Sequence, residues 1–268
     1  MSDFKGKKIL ITGGASGIGK IMGRLVLERG AELIIWDVNK KKIDETFADF
    51  TKLGKIAAYC IDMSKIDQII DAAARVKVEV GKVDILINNA GIVFGKYFHE
   101  HNHADIANTI HINTLAPMYV TSEFLPEMIT SHNGHICNIA SLAGLISNPK
   151  MSVYVASKWA LVGWSDSLRL EMKKLKTKVH VTTVNPYYIN TGMFAGVKSV
   201  IPILEPEKVA EKIIKTIEND RISLSMPWSM RFVRFLEGIL PISWFDAIVG
   251  GALGMYKTMD SFVGHPRN

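Results

Sequence analysis

The sequence predicts an α/β fold: one doubly wound parallel sheet of about seven strands with helices on both faces. Two observations carry this. Short runs that are apolar on both faces alternate with amphipathic stretches along most of the 268 residues. That pattern belongs to strands buried between two helical layers, since a sheet with one wet face alternates polar and apolar residues. The chain also has no internal repeat, no low-complexity segment and no linker, so one domain over 1–268 accounts for its length.

The elements follow in order. Residues 7–12 (KKILIT) and 31–37 (AELIIWD) read as the first two strands, with an amphipathic helix over 18–29 between them. Residues 55–62, 82–91, 134–141 and 178–186 read as the next four strands, and helical patterns separate them. Right-handed crossovers between parallel neighbours then wind the sheet in both directions. RISLSMP (221–227) reads as a short last strand. Two further segments are set apart. Residues 187–205 lie where this fold binds ligands, outside the carboxyl ends of the strands, and Met193, Phe194, Val197, Val200 and Ile201 make this substrate loop apolar. Residues 228–268 form a C-terminal apolar extension.

Composition narrows the function. A hydrophobic share of 48% supports a large core, and 22% charged residues is ordinary for a soluble protein. The net charge of +6 is thinly spread, its densest run being the lysines at 40–42. No aromatics interleave with these lysines, which argues for a solvated face and against nucleic-acid binding. Cys60 and Cys137, each inside an apolar run, read as buried reduced thiols of a cytoplasmic protein. The N-terminal MSDFKGKKILITGG runs straight into the first strand, which leaves no room for a signal peptide or anchor.

Between the first strand and first helix stand Thr12, Gly13, Ser16, Gly17, Ile18 and Gly19. Glycines let the backbone turn tightly and approach a pyrophosphate, which sits at the helix N-terminus among unpaired N–H groups. The spacing is Gly-x-x-x-Gly-x-Gly. Asp37 closes the second strand, 18 residues beyond Gly19. A carboxylate there accepts hydrogen bonds from the adenosine ribose hydroxyls and repels a 2′-phosphate, which favours NAD over NADP. Ser16 and Val38 supply no positive charge for such a phosphate, while Lys20 and Lys40 keep NADP open. Further along, Tyr154 and Lys158 are four residues apart and share a helical face. An ammonium beside a phenol favours the phenolate and fits the tyrosine for proton transfer.

These motifs, in this order, resemble the short-chain dehydrogenase/reductase superfamily over roughly residues 5–225. Thr12 to Gly19 correspond to its coenzyme loop, and Asp62 with Met63 to its adenine-contacting pair. Asn89, Ala90 and Gly91, in NNAG, correspond to its cofactor-flanking motif. Asn113, Ser141, Tyr154 and Lys158 correspond to its catalytic residues. Pro186, Ile189 and Thr191 fit contacts to the nicotinamide end, but Tyr187 stands where the family usually has glycine. Residues 204–213 and 230–241 are similar to a branch containing hydroxysteroid and retinol dehydrogenases. Members of that branch carry an N-terminal hydrophobic anchor.

The resemblance implies a single Rossmann-fold domain that interconverts a lipophilic alcohol and its ketone or aldehyde with NAD. Tyr154 would act as general acid/base, with Lys158 lowering its pKa and binding the nicotinamide ribose. Ser141 would hold the substrate oxygen, and Asn113 would support a water linking Lys158 to solvent. The family also implies a homodimer or homotetramer joined through the helices of Asn113 and Tyr154. Two alternatives remain: an NADP-dependent carbonyl reductase of the same fold, and a non-catalytic cofactor-binding or lipid-surface protein.

Two features compete for attention. His99, His101 and His103 alternate, but the stretch reads as a loop opening the helix toward Asn113, and no metal site is expected. In the tail, Phe232, Phe235, Leu236 and Ile239 recur at helical spacing, with Arg231 and Arg234 off that stripe and Trp228 and Trp244 nearby. A helix over the substrate cleft, a subunit interface and a monotopic helix on a membrane all fit this pattern. Residues 247–256 are apolar but about half of the roughly 20 needed to span a bilayer, so any membrane contact is peripheral.

Overall fold

In a computed structural model, which describes residues 4–252 and 254–264, seven parallel strands form one sheet in the order β3-β2-β1-β4-β5-β6-β7. The strands are β1 Lys8–Thr12, β2 Glu32–Asp37, β3 Ile56–Cys60, β4 Ile85–Asn88, β5 Gly134–Ile139, β6 Val179–Pro186 and β7 Ser223–Met226. Their side chains divide between two cores, which explains the apolar runs. Ile9 and Ile11 of β1 pack with α1 (Gly17–Glu28), α2 (Lys40–Phe50) and α7 (Pro206–Glu218), while Leu10 faces α3 (Ile66–Glu79), α5 (Ala116–Thr130) and α6 (Ser152–Lys174).

The chain runs outward from β1 to β3, then returns to β4 on the other side of β1. At such a reversal the loops leaving the two strands part in opposite directions and open a crevice above their carboxyl ends. Pairing of Thr12 with Trp36 fixes Asp37 level with Gly13, whose N–H donates to the Trp36 carbonyl at 2.7 Å. The fourth strand ends at Asn88 instead of running to residue 91, because the next N–H groups leave the ladder: those of Asn89 and Ala90 donate to Thr12 Oγ1 at 3.0 and 3.1 Å.

One cysteine differs from expectation. Cys137 is buried in β5, where desolvation pushes its thiol well above the ordinary value, but Cys60 is exposed. It ends β3, an edge strand, where its thiol meets the Val38 carbonyl at 3.5 Å and stays exposed.

Two helical details position the site. α4 (His103–Ile110) runs into α5 through a π-helical turn over His111–Leu115, and the wider turn carries Asn113 into the interior. The extension comprises a 3₁₀ turn (Trp228–Phe232), α8 (Val233–Ile239), α9 (Ile242–Asp246), a π-helical turn (Ala247–Ala252) and a last 3₁₀ turn (Met255–Lys257). Residues 265–268 of it lie outside the described chain. No described helix is long and apolar enough to cross a membrane.

Candidate active site

The glycine loop is built for close approach. Gly17 takes a left-handed φ of +53°, which disfavours a side chain there. At Gly19 an added Cβ would collide with the Gly13 carbonyl, so only hydrogen fits. No side chain caps the N-terminus of α1, the end of a helix at which backbone N–H groups attract an anion.

A cleft of about 410 Å³ opens above this loop. Gly13, Ser16, Gly17 and Ile18 line one end, and Asn89, Ala90 and Gly91 form the middle. Ser141, Tyr154, Lys158, Pro186, Ile189 and Thr191 line the other end. Thirteen of the sequence-predicted residues therefore share one cavity. Thr12 and Gly19 lie beneath it as supports: Thr12 Oγ1 accepts the two N–H groups named above, and Asn89 Nδ2 donates to the Thr12 and Gly13 carbonyls at 2.9 and 3.2 Å. Asp37, Asp62 and Met63 do not line it. Asp37 is held at the end of β2, its two carboxylate oxygens accepting from Ala15 N at 3.0 Å and Asn39 N at 3.1 Å. Asp62 accepts from both the N–H and the hydroxyl of Ser64, and Met63 packs in the core beside α3. Lys42, which the sequence left on a solvated face, reaches the cleft wall.

Asn113 and Ser157 tie the reacting end together. Asn113 Oδ1 accepts from Ile92 N at 2.8 Å, and its Nδ2 donates to the Ile92 carbonyl and to Ser157 Oγ at 2.9 and 3.1 Å. Ser157 Oγ donates in turn to the Tyr154 carbonyl at 2.7 Å. Sequence reasoning missed Ser157; its only signal was a small polar residue between Tyr154 and Lys158 on a helix that had to bury a charged pair.

Tyr154 and Lys158 are both buried, 5% and 4% exposed. The ammonium donates to the Ile139 carbonyl at 2.9 Å and lies 5.7 Å from the phenol ring centroid. Burial pushes the phenol well above its ordinary value, while a hydrogen bond with Ser141 acts the other way. Burial also pulls Lys158 down to about 8. The lowered tyrosine pKa expected from the spacing is not found in the free chain, where burial raises the phenol and lowers the amine.

The roof comes from two distant segments. The loop over 187–205 is pinned at its base where Ile189 bridges Leu204, and Phe194 meets the Tyr154 ring edge-on at 6.2 Å and the Tyr188 ring at 4.9 Å. The end of the C-terminal extension straps this loop down. Val263 N donates to the Ala195 carbonyl at 2.9 Å, and Lys198 N donates to the Thr258 carbonyl at 3.2 Å. Tyr187, in the usual glycine position, avoids the left-handed region and needs no glycine. Its hydroxyl pairs with Ser199 Oγ at 2.7 Å.

The histidines diverge. His99 stacks on Tyr97 with ring centroids 6.0 Å apart, and the side chain of His101 is buried edge-on to Phe94. No cluster of three metal-ligating side chains occurs among the described residues. In the tail, Phe232, Phe235, Leu236 and Ile239 are exposed together with Trp228 and Trp244, so this stripe is not the lid. Arg234 anchors α8 to the body, lying 5.4 Å over the Trp159 ring and donating to the Gly144 carbonyl at 3.2 Å.

Comparison with known proteins agrees with this geometry. The model of the short chain dehydrogenase family matches residues 7–200. Epidermal retinol dehydrogenase 2 of Mus musculus is 37% identical over 98% of this chain and 87% of its own length. Estradiol 17-beta-dehydrogenase 11 of Homo sapiens is 34% identical over 91% of this chain and 86% of its own. Among solved structures, a short chain dehydrogenase/reductase from Burkholderia phymatum in complex with NAD superposes with a TM-score of 0.81. It covers 89% of this chain and 96% of its own at 23% identity, a likeness of fold. A metagenomic short-chain oxidoreductase in complex with NADP gives a TM-score of 0.72 at 28% identity, over 84% of this chain and 97% of its own.

Proposed function

We propose that this chain, which belongs to the short-chain dehydrogenase family of oxidoreductases, interconverts a lipophilic alcohol and its carbonyl compound by hydride transfer with NAD. The observation that carries the reading is the meeting of Ser141, Tyr154 and Lys158 in one cleft with the glycine loop, beneath an apolar roof. The cradle fits a dinucleotide, since glycine at 19 is the one residue its backbone admits. When bound, that coenzyme supplies the carbon that accepts or gives hydride.

The remaining work falls to the protein. Tyr154 takes the proton of the substrate hydroxyl in oxidation and returns it in reduction. Its raised pKa in the free chain makes it a proton donor at neutral pH. Lys158, held on the Ile139 carbonyl beside the phenol ring, supplies the positive charge that favours the phenolate. Ser141 orients the reacting oxygen and donates to charge that develops on it. Asn113, through Ile92 and Ser157, fixes the floor and supports a water leading from Lys158 to solvent. Asp37 carries the preference for NAD, its carboxylate already aligned by two backbone N–H groups. An NADP-linked carbonyl reductase is the second reading, favoured by Lys42 at the cleft wall.

The names of the relatives, retinol and estradiol dehydrogenases, support a lipophilic substrate. Self-association into a dimer or tetramer through α4–α5 and α6 belongs to the same reading. So does a cytoplasmic enzyme resting on a membrane surface through the exposed stripe from Trp228 to Trp244.

The direct test is Tyr154→Phe. Turnover is expected to fall by at least about 100-fold, the lower range for a general acid/base, while coenzyme binding by fluorescence titration persists. Substantial residual turnover would refute the assignment, and silence of the wild type across lipophilic alcohols would favour a non-catalytic protein.

A further inference from the structure

A second space, a groove of about 440 Å³, adjoins the reacting end of the cleft. Gly91 and Met193 line both. A Cβ at Gly91 would stand 3.3 Å from Asn113 Oδ1 and 3.7 Å from Lys158 Nζ, so the groove begins beside the Lys158 ammonium. From there its walls are apolar, with Ile92, Val93 and Phe94 on one loop and Phe262 on the C-terminal extension. Of its lining residues only Lys96 is charged, and that ammonium is committed to Asp105 Oδ2 at 2.8 Å. The groove therefore suits a hydrocarbon chain and offers little to a charged one.

Phe262 and Gly95 line the groove but not the cleft, which places them at its far end. The ring of Phe262 lies directly on the Gly95 backbone, in the space a Cβ there would take. The strap that carries this ring, residues 258–264, is held on both sides of it. Thr258 sits in a buried knot, its Oγ1 accepting from Asn148 Nδ2 at 2.8 Å, while the same amide donates to Tyr188 Oη at 3.0 Å. Val263 N is bonded to the Ala195 carbonyl, and the strap backbone rests on Gly196, where a Cβ would collide with the Ser261 carbonyl. Phe194 links the ring to the reacting end, with centroids 6.5 Å from Phe262 and 6.2 Å from Tyr154. An aromatic ring fixed in this way cannot swing aside without breaking the strap's contacts.

We infer that Phe262, seated on Gly95, is a specificity-determining residue: it stops the groove and sets the length of apolar chain that the substrate can carry beyond its reacting carbon. The inference rests on the alcohol–carbonyl reading above. With the reacting oxygen at Ser141 and Tyr154, the part of the alcohol that passes Gly91 enters the groove and leaves water against Ile92, Val93, Phe94 and Met193. Each methylene buried there gains affinity until the chain meets the ring. Further methylenes displace the ring or turn out into solvent, and gain nothing.

The test is the dependence of kcat/KM on chain length across straight-chain primary alcohols, in the wild type, Phe262→Ala and Phe262→Trp. In the wild type kcat/KM is expected to rise about fourfold per methylene, the effect of burying one CH₂, and then to level off at a definite length. Phe262→Ala is expected to move that break to longer chains by at least about two methylenes, so that the ratio of variant to wild type grows more than about tenfold toward the longest alcohols. Phe262→Trp is expected to move the break to shorter chains. Where thermal melting shows Phe262→Ala to be unfolded, Phe262→Leu takes its place, with a shift in the same direction. A strap that had only been loosened would change every length by the same factor. A break at the same length in wild type and variant, a uniform change at all lengths, or a wild type without a break overturns the inference. In each case Tyr154-dependent turnover leaves the alcohol reaction standing. Absence of Tyr154-dependent turnover on every alcohol overturns both.

Discussion

Replacing Lys158 with methionine is expected to stabilise the coenzyme-free chain at neutral pH while destroying its activity. Lys158 is 4% exposed, and among the described residues its side chain has one hydrogen-bond partner, the Ile139 carbonyl. Burial lowers its pKa from 10.5 to about 8. At about 1.4 kcal/mol per pH unit, keeping the charged amine inside costs about 3 kcal/mol. Methionine has similar length and no charge to desolvate, but loses the bond to Ile139, worth about 1 kcal/mol. The net gain is about 2 kcal/mol at pH 7, or about 5 °C in Tm for a chain of this size. The pH dependence has a definite sign. Below about pH 8 both folded and unfolded chains hold the proton, and the wild type bears the full cost. Between about 8 and 10.5 the folded chain binds fewer protons than the unfolded one, so wild-type stability rises with pH from this group. The advantage of the variant must therefore shrink between pH 7 and pH 10. Urea unfolding of the free wild type and variant at both pH values measures this difference, in which the other titrating groups cancel. A variant less stable than the wild type at pH 7, or an advantage that does not shrink by pH 10, would refute the reasoning.

Two other expectations follow from the site and its surroundings. On the proposed role of Asp37, Asp37→Ser removes a carboxylate that would repel a 2′-phosphate while leaving Lys42 at the cleft wall, and is expected to shift relative affinity toward NADPH by at least about tenfold. Fluorescence titration of wild type and variant with NADH and NADPH checks this, and tighter NADPH binding by the wild type would overturn the role of Asp37. Charging the exposed stripe with Phe235→Glu and Trp244→Glu is expected to abolish co-sedimentation with anionic phospholipid vesicles. Each buried aromatic contributes about 2 kcal/mol, so the pair is worth more than about 100-fold in partitioning. Vesicle binding unchanged by the two substitutions, or absent in the wild type, would remove the membrane reading.

The sheet was legible because its chemistry is local. A strand covered on both faces must be apolar at every position, and the runs around Ile9, Ile34, Leu86 and Ile136 say so without reference to anything distant. The glycine loop was legible for the same reason, since close backbone approach and helix start leave their mark within a few residues. Less visible was whatever depends on which segments meet. Cys60 looked buried because its neighbours are apolar, yet β3 is the sheet edge, a fact of topology. The tail offered a helical stripe with no indication of what it packs on. The stripe around Phe235 faces solvent, and the strapping falls to Thr258 and Val263, which show no pattern of their own. The knot of Asn148, Tyr188 and Thr258 joins residues separated by up to 110 positions, and no local spacing could announce it. Tyr154 and Lys158 show the limit most sharply. Four residues apart on a helix establishes that the two groups share a face, and from that alone the ammonium should favour the phenolate. The sign of the effect is decided by water. On a wet face the attraction would be screened and small. On a dry one the loss of solvent disfavours both charged forms, so the phenol rises and the amine falls. Burial is set by the flanking strands β5 and β6 and by the Phe194 roof, whose packing on this helix leaves no mark in the four-residue spacing. The spacing therefore identifies the partners, and the tertiary enclosure decides which of them holds the proton.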